Sequence, residues 1–132
     1  MNNTITVGIF VESRYKLSRK RIREAILEEL KKAGVTGPAE VSVAIIGDRK
    51  MRLLNKKYRN LDKTTNVLSF SQLEGKEYSA AAAPSEAMML GDVVISYPQV
   101  IFEAVKEEML VDDKISELIE HGVKHLLGLH HE

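Results

Sequence analysis

Apolar positions along the chain recur sometimes every second residue and sometimes at helical spacing, and the switches between the two periods lay out its elements. Ile5 to Val11 (ITVGIFV) is short, β-branched and partly alternating, the pattern of a strand. Ile22, Ala25, Ile26, Leu30 and Ala33 then fall on one helical face, with Ser18 placed to cap the start and Gly34 to stop the end. Gly37-Pro38 marks a turn, and Val41 to Ile46 (VSVAII) is apolar enough for a central strand. Asp48 is placed to cap a helix running to about Tyr58, with Met51, Leu54 and Tyr58 inward. Asn60 to Thr65 is polar and turn-like, and Val67-Leu68-Ser69-Phe70 reads as a short strand. Residues 72–88, rich in Glu, Ser and Ala, are expected to form a mobile loop, after which Leu90 to Ile95 makes a fourth strand. Ser96 and Gln99 have the form of a capping box opening a helix that carries Val100, Ile101, Ala104 and Val105. Asp112 or Asp113 starts the last helix, apolar at Ile115, Leu118, Ile119, Gly122, Leu126 and Leu127 and ending near Gly128. The order β-α-β-α-β-β-α-α predicts an α+β fold of α/β-like character. It is one domain over residues 1–132, with a four-stranded mixed sheet and about four helices.

Composition changes this picture little, and charge changes it more. The chain has no cysteine, which excludes disulfides and thiolate metal sites, so any metal is held by nitrogen and oxygen. Asn2, Asn3 and Thr4 carry neither the basic nor the apolar stretch of a secretion signal, and no apolar run approaches a bilayer span, so the expectation is a cytoplasmic protein without a membrane. Net charge is zero, yet residues 1–63 hold 15 Lys/Arg against 7 Asp/Glu, and residues 64–132 hold 4 against 12. Such asymmetry points to a polyanion partner, unless folding intermixes the two halves on one surface. Lys16, Arg19, Lys20, Arg21 and Arg23 on the first helix, with Arg49, Lys50, Arg52, Lys56, Lys57 and Arg59 on the next, form the candidate track. With seven aromatic residues and no Trp, a base-stacking platform is not indicated.

All four histidines lie in the run HGVKHLLGLHH, residues 121–131. His121 and His125 are four apart on a helix, so their rings share a face one turn apart and reach one metal. Gly128 suits the left-handed turn that ends a helix, after which His131 comes back as a third ligand. Three neutral nitrogens leave a fourth tetrahedral position for water, the mark of a catalytic zinc site whose water has a pKa near 7. Irregular spacing within an apolar helix argues against an appended tag. The spacing H-x-x-x-H-x-x-G-x-x-H is shared with metzincin peptidases, which place a glutamate base directly after the first histidine. Here that position is Gly122, so a peptidase reading lacks its base.

The same run resembles the signature H-G-x-x-H-L-x-G-x-x-H of the YbeY-type rRNA maturation endoribonucleases, with His121, Gly122, His125, Leu126, Gly128 and His131 in place. Leu54-Asn55-Lys56-Lys57-Tyr58-Arg59, followed by Lys63 to Phe70 (KTTNVLSF), is similar to a second block of that family. Leu90-Gly91-Asp92-Val93-Val94-Ile95-Ser96 is similar to a third. Three ordered blocks cover most of residues 53–131, while the N-terminal third fits in general pattern only. The resemblance implies a zinc-dependent hydrolase selective for single-stranded RNA, acting in ribosomal RNA processing at the 3′ end of the small-subunit RNA and in ribosome quality control. Its partners are then ribosomal RNA and the small ribosomal subunit. It also implies that His121, His125 and His131 hold one zinc ion and that Arg59 acts near the metal, where a guanidinium can hold two phosphate oxygens.

The sequence departs from the family in places. Leu129-His130 stands where Tyr-Asp is usual, which removes a carboxylate able to orient a ligand imidazole and sets His130 beside His131 as a rival third ligand. Spacing favours His131. Ser71 replaces a common proline, and Lys124 puts a charge where an apolar residue is common. Asp92 could stand behind a metal ligand or satisfy a turn, and Asn66 could bond a phosphate or a backbone group. Two other functions are compatible with these residues: a non-catalytic metal-binding factor that associates with the ribosome, and a different metallohydrolase.

Overall fold

The computed structural model describes residues 5–73 and 87–129. Its elements follow the expected order: β1 (Ile5–Val11), α1 (Arg19–Lys32), β2 (Ala39–Ile46), α2 (Asp48–Arg59), β3 (Val67–Ser71), β4 (Met88–Ser96), α3 (Tyr97–Glu107) and α4 (Val111–Leu126). The strands form one mixed sheet in the order β1-β2-β4-β3, with β1, β2 and β4 parallel and β3 antiparallel to β4. Most of the expected mobile loop, residues 74–86, lies outside the described residues, and Met88 at its end opens β4.

Alternation along the central strands divides the apolar side chains between two faces. Val41, Val43, Ile45, Val93 and Ile95 join Ile22, Ile26 and Leu30 of α1 and Ile115, Leu118, Ile119, Val123 and Leu126 of α4 in the larger cluster. Ile46 and Val94, facing the other way, meet Met51 of α2 and Leu68 of β3, with Leu54 and Phe70 against them. Helices α1 and α4 therefore cover one face and α2 covers the other. On the first face α4 lies over β3 and β4, and α1 packs between α4 and the β1 side.

The caps at Ser18 and Ser96 form as expected, their hydroxyls accepting from the amides of Arg21 (3.1 Å) and Gln99 (3.4 Å). The expected cap at Asp48 does not, and the last helix starts ahead of both Asp112 and Asp113. Gly47 precedes α2 and Leu110 precedes α4, both without a side-chain cap. The Asp48 carboxylate instead accepts from Ser96 Oγ (2.7 Å), Thr64 Oγ1 (3.0 Å) and Gln99 Nε2 (3.3 Å), tying the starts of α2 and α3 to the turn before β3. This takes Gln99 away from the second half of a capping box, since the Ser96 amide donates to the Asn66 carbonyl. Asp112 accepts from the Ser18 amide (2.9 Å) and Asp113 pairs with Arg21 (2.8 Å), so both acids join α4 to α1.

A register shift sets Glu40 opposite Met89 but Val41 opposite Gly91, making Leu90 the extra residue of a bulge in β4. Gly91 has φ +140°, and a Cβ there would lie 2.2 Å from the Phe70 carbonyl oxygen and 2.8 Å from Leu126 Cδ2. Only glycine allows β3 and α4 to close on the sheet at this point.

Candidate active site

The site is built on α4 where it crosses the edge strand β3. Gly122, Val123 and Leu126 are buried, which turns the neighbouring His121 and His125 outward as exposed side chains one helical turn apart on one face. The close crossing depends on Gly122, where a Cβ would stand 2.7 Å from Val93 Cγ1 and 3.2 Å from Ser69 Oγ. Position 122 points into the sheet, so a glutamate there could not reach a metal held by its neighbours. Gly122 is thus a packing requirement as well as a missing base, and the peptidase reading fails on both counts.

Strand β3 separates its side chains by type. Leu68 and Phe70 face α2, whereas Ser69 and Ser71 face α4 and donate to the carbonyls of Gly122 (3.3 Å) and Leu126 (3.0 Å). These bonds bracket the turn of α4 that carries both histidines. The Ser71 hydroxyl is thus used, and it also accepts from the Leu73 amide. After Leu126 the helix ends in a Schellman turn: the Gly128 amide donates to the His125 carbonyl (3.1 Å) and the Leu129 amide to the Lys124 carbonyl (2.8 Å), with Gly128 at φ +76°. Leu129 packs back on the core. His130 and His131, and with them the third ligand, lie outside the described residues. Among the described residues no group of three metal-binding side chains is present.

From the other face of the sheet, α2 delivers Arg59 at its last position. Asn60 follows with φ 58°, and the buried Asn55 fixes the next turn by donating to the Lys63 carbonyl (2.9 Å). Arg59 makes no ion pair among the described residues, unlike Arg52, which meets Asp62 at 2.8 Å. Arg59, Asn66, Val67, Ser69, Leu118, His121, Gly122 and His125 together line a cleft of about 390 Å³ astride the sheet edge. That volume suits a small part of a polymer substrate. The described lining contains imidazoles, a guanidinium, an amide and a hydroxyl, and no carboxylate.

A model of the family described as Endoribonuclease YbeY matches residues 9–132. The chain belongs to the YbeY endoribonuclease family. Relatives named Endoribonuclease YbeY from Dehalococcoides mccartyi (strain CBDB1) and Bartonella quintana (strain Toulouse) are 36% identical over 135 residues and 35% identical over 136. The alignments cover 96% and 97% of this chain and 81% of each relative. That from Symbiobacterium thermophilum is 34% identical over 132 residues, covering 100% of this chain and 83% of its own. The solution structure of TM1509 from Thermotoga maritima superposes with a TM-score of 0.58 at 22% identity, over 96% of this chain and 75% of that one, which shows a shared fold.

Within this YbeY-family chain the structure brings together three of the four site residues expected from sequence: Arg59, His121 and His125. It reassigns Asp92. That residue lies inside β4, not at a strand start, and accepts from Ser42 Oγ of β2. It shares the sheet face of Val94, away from α4, so it cannot stand behind a histidine. Asn66 does bond, but its amide nitrogen goes to Glu103 of α3 at 3.1 and 3.3 Å, and Glu103 meets Lys114 of α4 at 3.5 Å. Sequence reasoning passed over this Asn66–Glu103–Lys114 chain. The legible signal was Lys114, a lysine set among the apolar positions of α4. Lys124 is less unusual, pairing at the surface with Glu120 (3.1 Å), an ion pair of small worth.

Proposed function

We propose that this chain is a zinc-dependent endoribonuclease that cuts single-stranded RNA in ribosomal RNA processing. By family likeness its place is the 3′ end of the small-subunit RNA and ribosome quality control, in the cytoplasm. The observation that carries the reading is the cleft at the sheet edge, where Arg59 from one face of the sheet meets His121 and His125 from the other. The relatives' name, endoribonuclease YbeY, supplies the substrate class.

The donor set fits zinc. Two exposed imidazoles stand one turn apart, Gly128 ends their helix in a Schellman turn, and there is no thiolate to favour a closed structural site. His121, His125 and His131 would hold the ion. When bound, zinc acidifies water so that a nucleophile is present near neutral pH. The remaining work falls to side chains of the chain itself. The Arg59 guanidinium, exposed at the end of α2, neutralises the anionic oxygens of the phosphodiester and grips them in a planar fork. Ser69 and Ser71 keep α4 seated on β3, so that the imidazoles stay over the phosphate path. With no Phe, Tyr or Trp ring in the described lining, no base-stacking platform is present there, and preference for single strands rests on cleft shape.

The test is cleavage of matched single-stranded and duplex RNA by zinc-loaded protein. Cleavage of the single strand, its loss with chelator and in His125→Ala, and a drop of about 10²-fold in kcat for Arg59→Ala are expected. Arg59→Lys should recover only part of that drop, since an ammonium lacks the fork. Fully metallated protein that leaves RNA intact would overturn the assignment, and binding to small subunits that survives loss of the histidines would replace it with a docking role.

A further inference from the structure

Asn66 lines the cleft with Arg59, His121 and His125, and the fold holds it at two points. Its carbonyl accepts from the Ser96 amide at 2.9 Å, and its Nδ2 donates to both oxygens of Glu103 at 3.1 and 3.3 Å. Glu103 is held in turn by Lys114, which is 5% exposed and whose Nζ lies 3.5 Å from Glu103, 2.9 Å from Glu107 and 3.1 Å from Glu117. Burial pulls the lysine toward its neutral form, but hydrogen bonds from Nζ to Glu107 and Glu117 outweigh it and hold the ammonium charged.

An asparagine side chain ends in a donor and an acceptor, and turning the amide by half a revolution exchanges them. A carboxylate paired with an ammonium accepts and does not donate. Glu103 therefore selects one amide orientation, with Nδ2 toward α3, and Oδ1 is the polar atom that remains. Among the described residues Oδ1 accepts no hydrogen bond. Beside the second N–H of Nδ2, the amide offers the cleft Oδ1, an acceptor, and an acceptor repels a phosphate oxygen. Oδ1 is therefore suited to the neutral donors of a nucleotide, of which the ribose 2′-hydroxyl is the one that separates RNA from DNA.

Building on the RNA-hydrolase reading above, we propose that Asn66 is a substrate-recognition residue. Its Oδ1, aimed by Glu103 and Lys114, accepts a hydrogen bond from a neutral donor of the RNA beside the phosphate that Arg59 grips. The 2′-hydroxyl is the first source of that donor and a base amino group the second. Glu103 and Lys114 are positioning residues.

The experiment walks single 2′-deoxy substitutions, and separately single base changes that remove an amino group, along a short single-stranded RNA. It measures cleavage by the zinc-loaded protein and affinity for the chelator-treated protein. In the natural protein one deoxy position should cost roughly ten-fold in kcat/KM and in affinity, the scale of one hydrogen bond left unmade. Asn66→Ala should make that one position silent and leave the other positions as they were. Glu103→Gln, which can donate to Oδ1 and so permits the flipped amide, should blunt the same position. The pair Asn66→Asp with Glu103→Gln rebuilds the hydrogen bond with its polarity reversed and should restore part of the discrimination, which a merely structural role would not do. A base change silenced in place of a deoxy position supports the same interaction with the base as donor. Identical scans for natural protein and Asn66→Ala, both still cutting RNA, overturn the proposal and leave the hydrolase reading standing. Natural protein that neither binds nor cuts RNA removes both.

Discussion

Two readings of Gly122 meet in a single carbon atom. A Cβ at that position would overlap Val93 Cγ1 at 2.7 Å, and the atom in the way belongs to a β-branched side chain in the middle of the sheet, with little freedom to give. Gly122→Ala is therefore expected to lower stability by about 1–3 kcal/mol, the usual range for overfilling a tight core. Denaturant unfolding should show this as an earlier midpoint with an unchanged slope. Val93→Ala in the same chain makes room and should bring the loss due to Gly122→Ala close to zero, a coupling that distant sites do not show. Gly122→Glu, which writes the metzincin base into the sequence, should fail to fold and hydrolyse no peptide. A folded Gly122→Glu protein with peptidase activity would return that chemistry to the site.

The elements carry the site through their ends and edges, and this is also where the sequence was hardest to read. Helix α4 carries the two proposed ligands His121 and His125 within its regular part, and ends in the Schellman turn at Gly128. Gly128→Ala keeps every side chain of the site but costs about 1 kcal/mol for the left-handed conformation. It is expected to weaken zinc binding in a competition titration with a chromophoric chelator, more than its small effect on thermal unfolding would suggest. Zinc affinity equal to that of the natural protein would mean that the third ligand does not depend on this turn. The order of elements, Ser18 and Ser96 as caps, the i, i+4 histidines and the stop at Gly128 were legible because each rests on residues within a few positions of one another. Asp48 and Asp92 were not. Their partners Ser96 and Ser42 lie 48 and 50 residues away, and a carboxylate has the same local appearance in the sequence whether it serves its own element or crosses to another. The edge position of β3 was hidden for the same reason. VLSFS reads as an ordinary strand, and only pairing with β4 shows that its serines meet a helix on one face while its apolar residues meet another helix on the other.

For the molecule as a whole, the fold decides which part of the basic N-terminal half serves the cleft. Helices α1 and α2 lie on opposite faces of the sheet, so their cations do not form one continuous track. On the α1 side, Arg21 is paired with Asp113, and the groove between α1 and α4 carries Glu24, Glu28, Glu29, Glu117 and Glu120. Those carboxylates offset the cations of α1 and disfavour a polyanion there. Helix α4 also stands between α1 and the cleft at β3. On α2, Arg49, Arg52, Lys56 and Arg59 recur at helical spacing as one exposed stripe, and its last member lines the cleft. If RNA runs along this stripe, each phosphate neutralised there releases counterions. For single strands the slope of log affinity against log salt then falls by about 0.7 for every phosphate that a substitution leaves without its cation. Arg49→Gln and Lys56→Gln should each flatten that slope by about this amount, while Lys20→Gln and Arg23→Gln on α1 should leave it unchanged. The comparison needs only metal-free protein and a salt series, so it measures the track apart from the chemistry. Slopes that respond equally to both helices would mean that RNA passes around α4 and meets both faces of the sheet, and the cleft would then be a waypoint on a longer path rather than its end.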